Sequence, residues 1–200
     1  ETEKLIVQNQ GHEQDHSASI LKVYEAKTAL KTKRSGDCLE ITLTDKVDQE
    51  LYLVPLGLSN LKELILHLGD VELISSPDIQ LLYQIKKMMP ALETVRIKAQ
   101  DNKLSKSLLI RVFWSIFSGQ THLKQIEIDL QQKPVLSKKV LVKEEESVQS
   151  QLLKFFANKC LSQSKSLESL EVNLKFAKIS NQAFGILVKN IVHFRGSLKT

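Results

Sequence analysis

The feature that most restricts this 200-residue chain is a pattern that returns at one constant step. One apolar residue, two spacers and then apolar-x-apolar occur at Leu61-Lys62-Glu63-Leu64-Ile65-Leu66. The pattern returns at Leu92-Glu93-Thr94-Val95-Arg96-Ile97, at Leu123-Lys124-Gln125-Ile126-Glu127-Ile128 and at Leu167-Glu168-Ser169-Leu170-Glu171-Val172. Leu61, Leu92 and Leu123 are equally spaced. Leu167 to Leu198 repeats the same step, and Leu198-Lys199-Thr200 opens another copy. Leu123 to Leu167 is longer. A second marker, an aliphatic-Ser pair, locates the surplus: Ile74-Ser75, Leu104-Ser105, Leu136-Ser137 and Ile179-Ser180. From that Ser to the next strand the distance is nearly the same in three units: Ser75 to Leu92, Ser105 to Leu123 and Ser180 to Leu198. Only Ser137 to Leu167 is stretched. The extra residues therefore follow Ser137, in a charged segment at about 138–147 that reads as a surface loop. Weaker copies lie upstream at Cys38–Leu43 and, loosely, at Thr2–Val7.

Between these strands the apolar period changes from 2 to 3.6. Ser76 is a plausible N-cap, with Pro77 in the first helical position, where its missing N–H costs nothing. Leu81, Leu82, Ile85, Met88 and Met89 then line one helix face, and Pro90 stops it. The next stripe is Leu108, Leu109, Val112, Phe113, Ile116 and Phe117, ended by Gly119. Val148, Leu152, Phe155 and Phe156 form a third, and Phe184, Leu187, Val188, Ile191 and Val192 a fourth. An earlier helix is expected at about Ala18–Lys33, with the basic run Lys31-Thr32-Lys33-Arg34 at its C-terminus, where the helix dipole favours cations. Each unit is a short strand plus an amphipathic helix, and neither buries its apolar side alone. Stacking joins the strands into one parallel sheet with the helices behind it. The expected fold class is therefore α/β: a curved β/α solenoid, sheet on the concave side and helices on the convex side.

The Leu-x-x-Leu-x-Leu strand followed by an aliphatic-Ser pair and a helix resembles leucine-rich repeats. It is most similar to the long, helix-containing kind of ribonuclease-inhibitor-like arrays, in a divergent form such as single-celled eukaryotes carry. The Asn or Cys usual after the strand is not evident, and unit length varies. The resemblance covers about Cys38 to Thr200. It implies a module that binds protein through the open, concave face. One array over residues 1–200 is expected, with weak repeats at 1–60 and clear ones at 61–200. Its opening reads as a strand and its close as the start of one, so the reading is a fragment of a longer chain with an uncapped strand at each end, to be met by further repeats or neighbouring chains.

Alternation puts Leu64, Leu66, Val95, Ile97, Ile126, Ile128, Leu170 and Val172 inside. A doubly wound α/β domain would bury its strands on both faces and make them near-continuous apolar runs. Arg96, Glu127 and Glu171 at mid-strand argue against it, as does the lack of a Gly-x-Gly-x-x-Gly loop. The open face then carries Ile65, His67, Arg96, Lys98, Glu127, Asp129, Glu171 and Asn173 as candidate partner-binding residues, beside Thr94, Gln125 and Ser169. Arg96 and Lys98 on one strand face Glu127 and Asp129 on the next. This is either a bipolar binding surface or cross-strand pairing that only steadies the sheet.

Net charge is +5 with pI near 9.1, and acidic and basic residues alternate along the chain. That is a solvated surface more than a phosphate-binding stripe, so contact with RNA, as a basic subunit of a large assembly, is the alternative reading. No apolar run reaches the ~20 residues of a membrane span. Two cysteines make no disulfide framework and point to a reducing, cytoplasmic setting. Cys38 is expected in a core strand position and Cys160 near a helix end, both as small apolar residues. His12-Glu13-Gln14-Asp15-His16 matches the His-Glu-x-x-His pattern of zinc hydrolases, with Glu13 as general base. Its polar neighbours and the lack of a marked third ligand favour a solvated loop. His67, His122 and His193 have no evident acid or nucleophile beside them. Trp114 lies beside its helix's apolar stripe, where it covers the helix edge or meets a partner. The expectation is a non-catalytic protein-binding scaffold without metal or cofactor, probed by charge reversal at Arg96, Lys98, Glu127 and Asp129.

Overall fold

In a computed structural model the chain is described at residues 22–24, 30–43, 52–54, 58–69, 71–72, 74–133 and 146–193. The strands are β1 (Lys22–Tyr24), β2 (Leu30–Ser35), β3 (Cys38–Leu43), β4 (Tyr52–Val54), β5 (Glu63–His67), β6 (Thr94–Lys98), β7 (Gln125–Asp129) and β8 (Ser169–Asn173). The helices are α1 (Ser76–Lys87), α2 (Lys106–Phe117), α3 (Val148–Phe155) and α4 (Asn181–His193). β1 and β4 form a small antiparallel pair, and the other six strands form one sheet in the order β2-β3-β5-β6-β7-β8.

From β3 to β8 the pairing is parallel and in chain order. Leu39, Leu64, Val95, Ile126 and Leu170 stand in one register row, and Ile41, Leu66, Ile97, Ile128 and Val172 in another. From β3 to β7 these residues are fully buried, while their neighbours along each strand stay half-open or exposed. Leu170 and Val172 are half-buried, on the last described strand of the sheet. One face of the sheet is covered and the other is open, which is the β/α solenoid with its helices on the convex side. Consecutive helices pack on one another, α1 on α2, α2 on α3 and α3 on α4.

The helix starts follow capping chemistry. α1 is capped by Ser75, one residue before the expected Ser76. The Ser75 Oγ accepts from the Asp78 N–H, and the Asp78 carboxylate accepts from the Ser75 N–H at 3.1 Å, a full capping box. Ser105 caps α2 in the same position, and Ser180 Oγ accepts from the Ala183 N–H at the start of α4. α3 departs from the series: its cap is Ser147, not Ser137. The extra length of this unit therefore lies between strand and helix, and residues 138–145 of the expected loop are outside the described residues. Ser147 and Ser150 both donate to the Lys178 carbonyl, which ties α3 to the approach of α4. Glu146 completes the tie by accepting from Lys154 at 2.7 Å and Ser180 at 2.8 Å, and these bonds hold its carboxyl below the usual range.

After Phe155 the helix widens into a π turn over Phe156–Cys160. The widening carries Phe156, Ala157 and Cys160 into the core. Phe156 meets Phe117 and Phe113 edge-on, at centroid distances of 5.3 and 6.2 Å. Such pairs add about 0.5–1.5 kcal/mol beyond the area they bury. The fourth stripe divides: Leu187 is buried and Ile191 half-buried, but Phe184, Val188 and Val192 are exposed.

The N-terminal part departs from the expected helix at 18–33. β1 and β2 occupy much of it, and β2 pairs antiparallel with β3 from Leu30↔Leu43 to Ser35↔Cys38. The turn is Gly36-Asp37, with Gly36 at φ +59°, the left-handed conformation a two-residue hairpin needs at its first position. Lys31-Thr32-Lys33-Arg34 thus lies on an edge strand and not at a helix end. Charged side chains there discourage pairing with another sheet. Cys38 is corrected too. It pairs with Glu63 and is half-buried on the open face, while Leu39 and Ile41 take the interior positions of Leu64 and Leu66. The strand at Thr2–Val7, the His12–His16 motif and Leu198–Thr200 lie outside the described residues.

Candidate binding surface of the open sheet face

Three rows of side chains cross the open face. The first is Cys38, Glu63, Thr94, Gln125 and Ser169; the second is Glu40, Ile65, Arg96, Glu127 and Glu171; the third is Thr42, His67, Lys98, Asp129 and Asn173. The antiparallel β2 adds Lys33 opposite Glu40 and Lys31 opposite Thr42. All eight expected face residues, from Ile65 to Asn173, therefore lie on one surface, and none is buried.

At the centre, charge is taken up across strands. Arg96 reaches both ways: its Nε lies 2.7 Å from Glu63 Oε1, outside hydrogen-bond alignment, and its Nη1 lies 3.1 Å from Glu127 Oε2. His67 Nε2 is 2.7 Å from Glu40 Oε1. Pairs this open to water contribute about 0–1 kcal/mol each, so they add little to stability. The expected opposition of Arg96 to Glu127 is thus an internal pairing. Beyond these pairs, Asp129 and Glu171 make the β7 and β8 side acidic, with no basic residue on β8, and Lys33 lies on the β2 side.

Asp129 and Asn173 also serve the fold. Asp129 Oδ1 accepts from the Gln131 N–H at 3.0 Å, and Asn173 Oδ1 accepts from the Lys175 N–H at 3.1 Å, turning the chain out of each strand. Asn102 Nδ2 donates to the Leu68 carbonyl one unit back at 2.9 Å. Asn102 thus stitches one unit to the last, a role the sequence pattern did not mark with a fixed Asn.

The thiols are set by their surroundings. Burial, then the Glu63 carboxylate beside it, pushes Cys38 up to about 11. Burial alone pushes Cys160 up to about 12. His122 is exposed ahead of β7 and His193 closes α4. Among the described residues, no group of three or more His, Cys, Asp or Glu is placed to hold a metal ion, and no helix is long and apolar enough to cross a membrane.

No protein-family model matches the chain, and no curated protein matches it. Among solved structures it is similar to the tropomodulin C-terminal domain from Caenorhabditis elegans, over 69% of each chain, at 15% identity and a TM-score of 0.41.

Proposed function

We propose that this chain is a non-catalytic protein-interaction module whose open sheet face receives a partner protein within a larger complex. The observation that supports this is the face itself. Five parallel strands in register present three rows of solvent-facing side chains on a sheet whose other side is sealed. Its β2 side is basic at Lys33 and its β7 and β8 side acidic, so a complementary partner carries anions near Lys33 and cations near Asp129 and Glu171. The contact residues in this reading are Ile65, His67, Arg96, Lys98, Glu127, Asp129, Glu171 and Asn173, Arg96 chiefly by holding its neighbours. The strand spacing further supports an array of the long, helix-containing leucine-rich type, and the two free cysteines support a reducing, cytoplasmic setting. The open apolar side of α4, at Phe184, Val188 and Val192, is then a surface that a further unit covers.

The test is affinity capture of the tagged chain from cells, with cross-linking, against a Lys98→Glu/Glu171→Lys variant whose circular dichroism matches the parent. Loss of specific captured proteins, cross-linked through Lys31, Lys33 or Lys98, supports the reading. Equal capture by both chains overturns it.

A further inference from the structure

On the opposite, convex side, α1 and α2 part to leave an elongated groove of about 760 Å³. Ile79 of α1 is nearly fully buried in its floor, beside Ser115 of α2, whose hydroxyl is taken up by the Val112 carbonyl at 2.7 Å. Its walls are aromatic: Tyr83 of α1 is 36% exposed and Trp114 of α2 is 45% exposed. Phe155 of α3 closes the far side, edge-on to Trp114 at 6.2 Å. Large aromatics left open around an apolar floor mark contact sites more often than solvent faces.

The one charged residue that lines the groove is basic. Arg111 lines it near the start of α1, with Nη2 3.2 Å from Ser76 Oγ. Toward the other end, the ammonium groups of Lys86 and Lys87 each lie 4.5 Å from the centre of the Tyr83 ring. Lys86 is buried, donating to the Ser118 carbonyl at 2.6 Å, and its desolvation lowers its pKa, so the exposed Lys87 is the cation open to an incoming anion at this end. None of the groove-lining residues is acidic.

We infer that the groove between α1 and α2 is a docking site for an amphipathic helix of a partner protein, apolar along one stripe and acidic along its flanks. The two walls are helices of 12 residues each, about 18 Å long at 1.5 Å per residue, so they can seat about three turns of a third helix. Its apolar stripe would cover Ile79, Tyr83 and Trp114, and its carboxylates would meet Arg111 at one end and Lys87 at the other. This surface shares no residue with the sheet face.

Trp114 is the chain's single tryptophan, so its emission reports on this groove. The intact chain is titrated with three synthetic peptides of about 15 residues: a Leu/Phe stripe flanked by Glu, the same stripe flanked by Lys, and the Glu peptide with its stripe scrambled. Dodecanoate is a fourth probe. The expected result is a saturable blue shift with the Glu peptide, at least about tenfold tighter than with the Lys peptide and weakened by salt. Arg111→Glu should weaken it by about tenfold and Glu171→Lys leave it unchanged. Lys87→Glu repeats the test should Arg111→Glu fail to fold. Unmoved emission, equal binding of the Glu and Lys peptides, or a response to dodecanoate alone each overturns the proposal, the last by assigning the groove to a small anionic amphiphile.

Discussion

Ile65 and Leu66 are adjacent in β5, and truncating either to Ala removes three carbons. The chemistry is the same and only the face differs. Leu66 is fully buried under the helices, so losing its three carbons costs about 2.4 kcal/mol at ~0.8 kcal/mol each. The cavity left in a sealed layer raises the total to about 3–5 kcal/mol. Ile65 stands half-buried on the open face between Glu40 and Arg96. Water fills what its truncation leaves, so no cavity term applies and the cost is about 1 kcal/mol. The assay is urea unfolding followed by far-ultraviolet circular dichroism and by Trp114 emission. Free energies are compared only where the two probes coincide, because repeat arrays can unfold in parts. A sharper version uses lysine: Ile65→Lys should fold, and Leu66→Lys should not. Equal losses for Ile65→Ala and Leu66→Ala, within about 0.5 kcal/mol, would refute one-sided coverage of the sheet and the solenoid with it.

Ser75→Ala should cost about 1 kcal/mol in the same assay, since it removes one half of the α1 capping box, whereas Ser76→Ala, one residue on, should be nearly silent. Both thiols should resist iodoacetamide at neutral pH, where a thiol held at about 11 or 12 is almost wholly protonated. Glu63→Gln should speed alkylation of Cys38 and leave Cys160 unchanged, as mass spectrometry of the modified peptides would show. The folded state holds these two protons more tightly than the unfolded chain does. Stability should therefore fall as pH climbs past the ordinary thiol value of 9.0, and a flat profile between pH 8 and 10.5 would count against the buried settings of both.

The regular part of the fold is legible in the sequence because its two periods are both strong. Alternation at β5 to β7 names the buried residues, and the 3.6-residue stripe on α2 matches its buried face from Leu109 to Phe117. The misreadings have local causes. The slip at Cys38 is one of two residues, which preserves the alternation and so leaves Ile41 and Leu43 on the correct face while misplacing Cys38 itself. The segment before it is a hairpin whose signal, Gly36-Asp37 between two strand-like runs, is present but is outweighed by helical spacing. Ser137 repeats the marker pair, yet the capping bonds form at Ser147, because a cap is defined by where the following N–H groups point. The division of α4 into covered and open residues depends on which neighbours surround it, and periodicity along one helix carries no such information.

The open face holds the least legible feature, because the meaning of each charge depends on register. Arg96 and Glu127 are a full unit apart along the chain and become opposed only when β6 and β7 align residue for residue. Glu63, on the preceding strand β5, joins them from the other side. The same step that stacks Val95 on Ile126 in the core therefore stacks Arg96 beside Glu127 outside. One register serves both faces, and it is fixed by the buried one, since a one-residue slip would turn every apolar side chain outward. The ion pairs are a consequence of core registration and contribute little to it. For that reason the charges at the centre of the sheet can be exchanged with small effect on folding, which leaves them free to be shaped by whatever the face contacts.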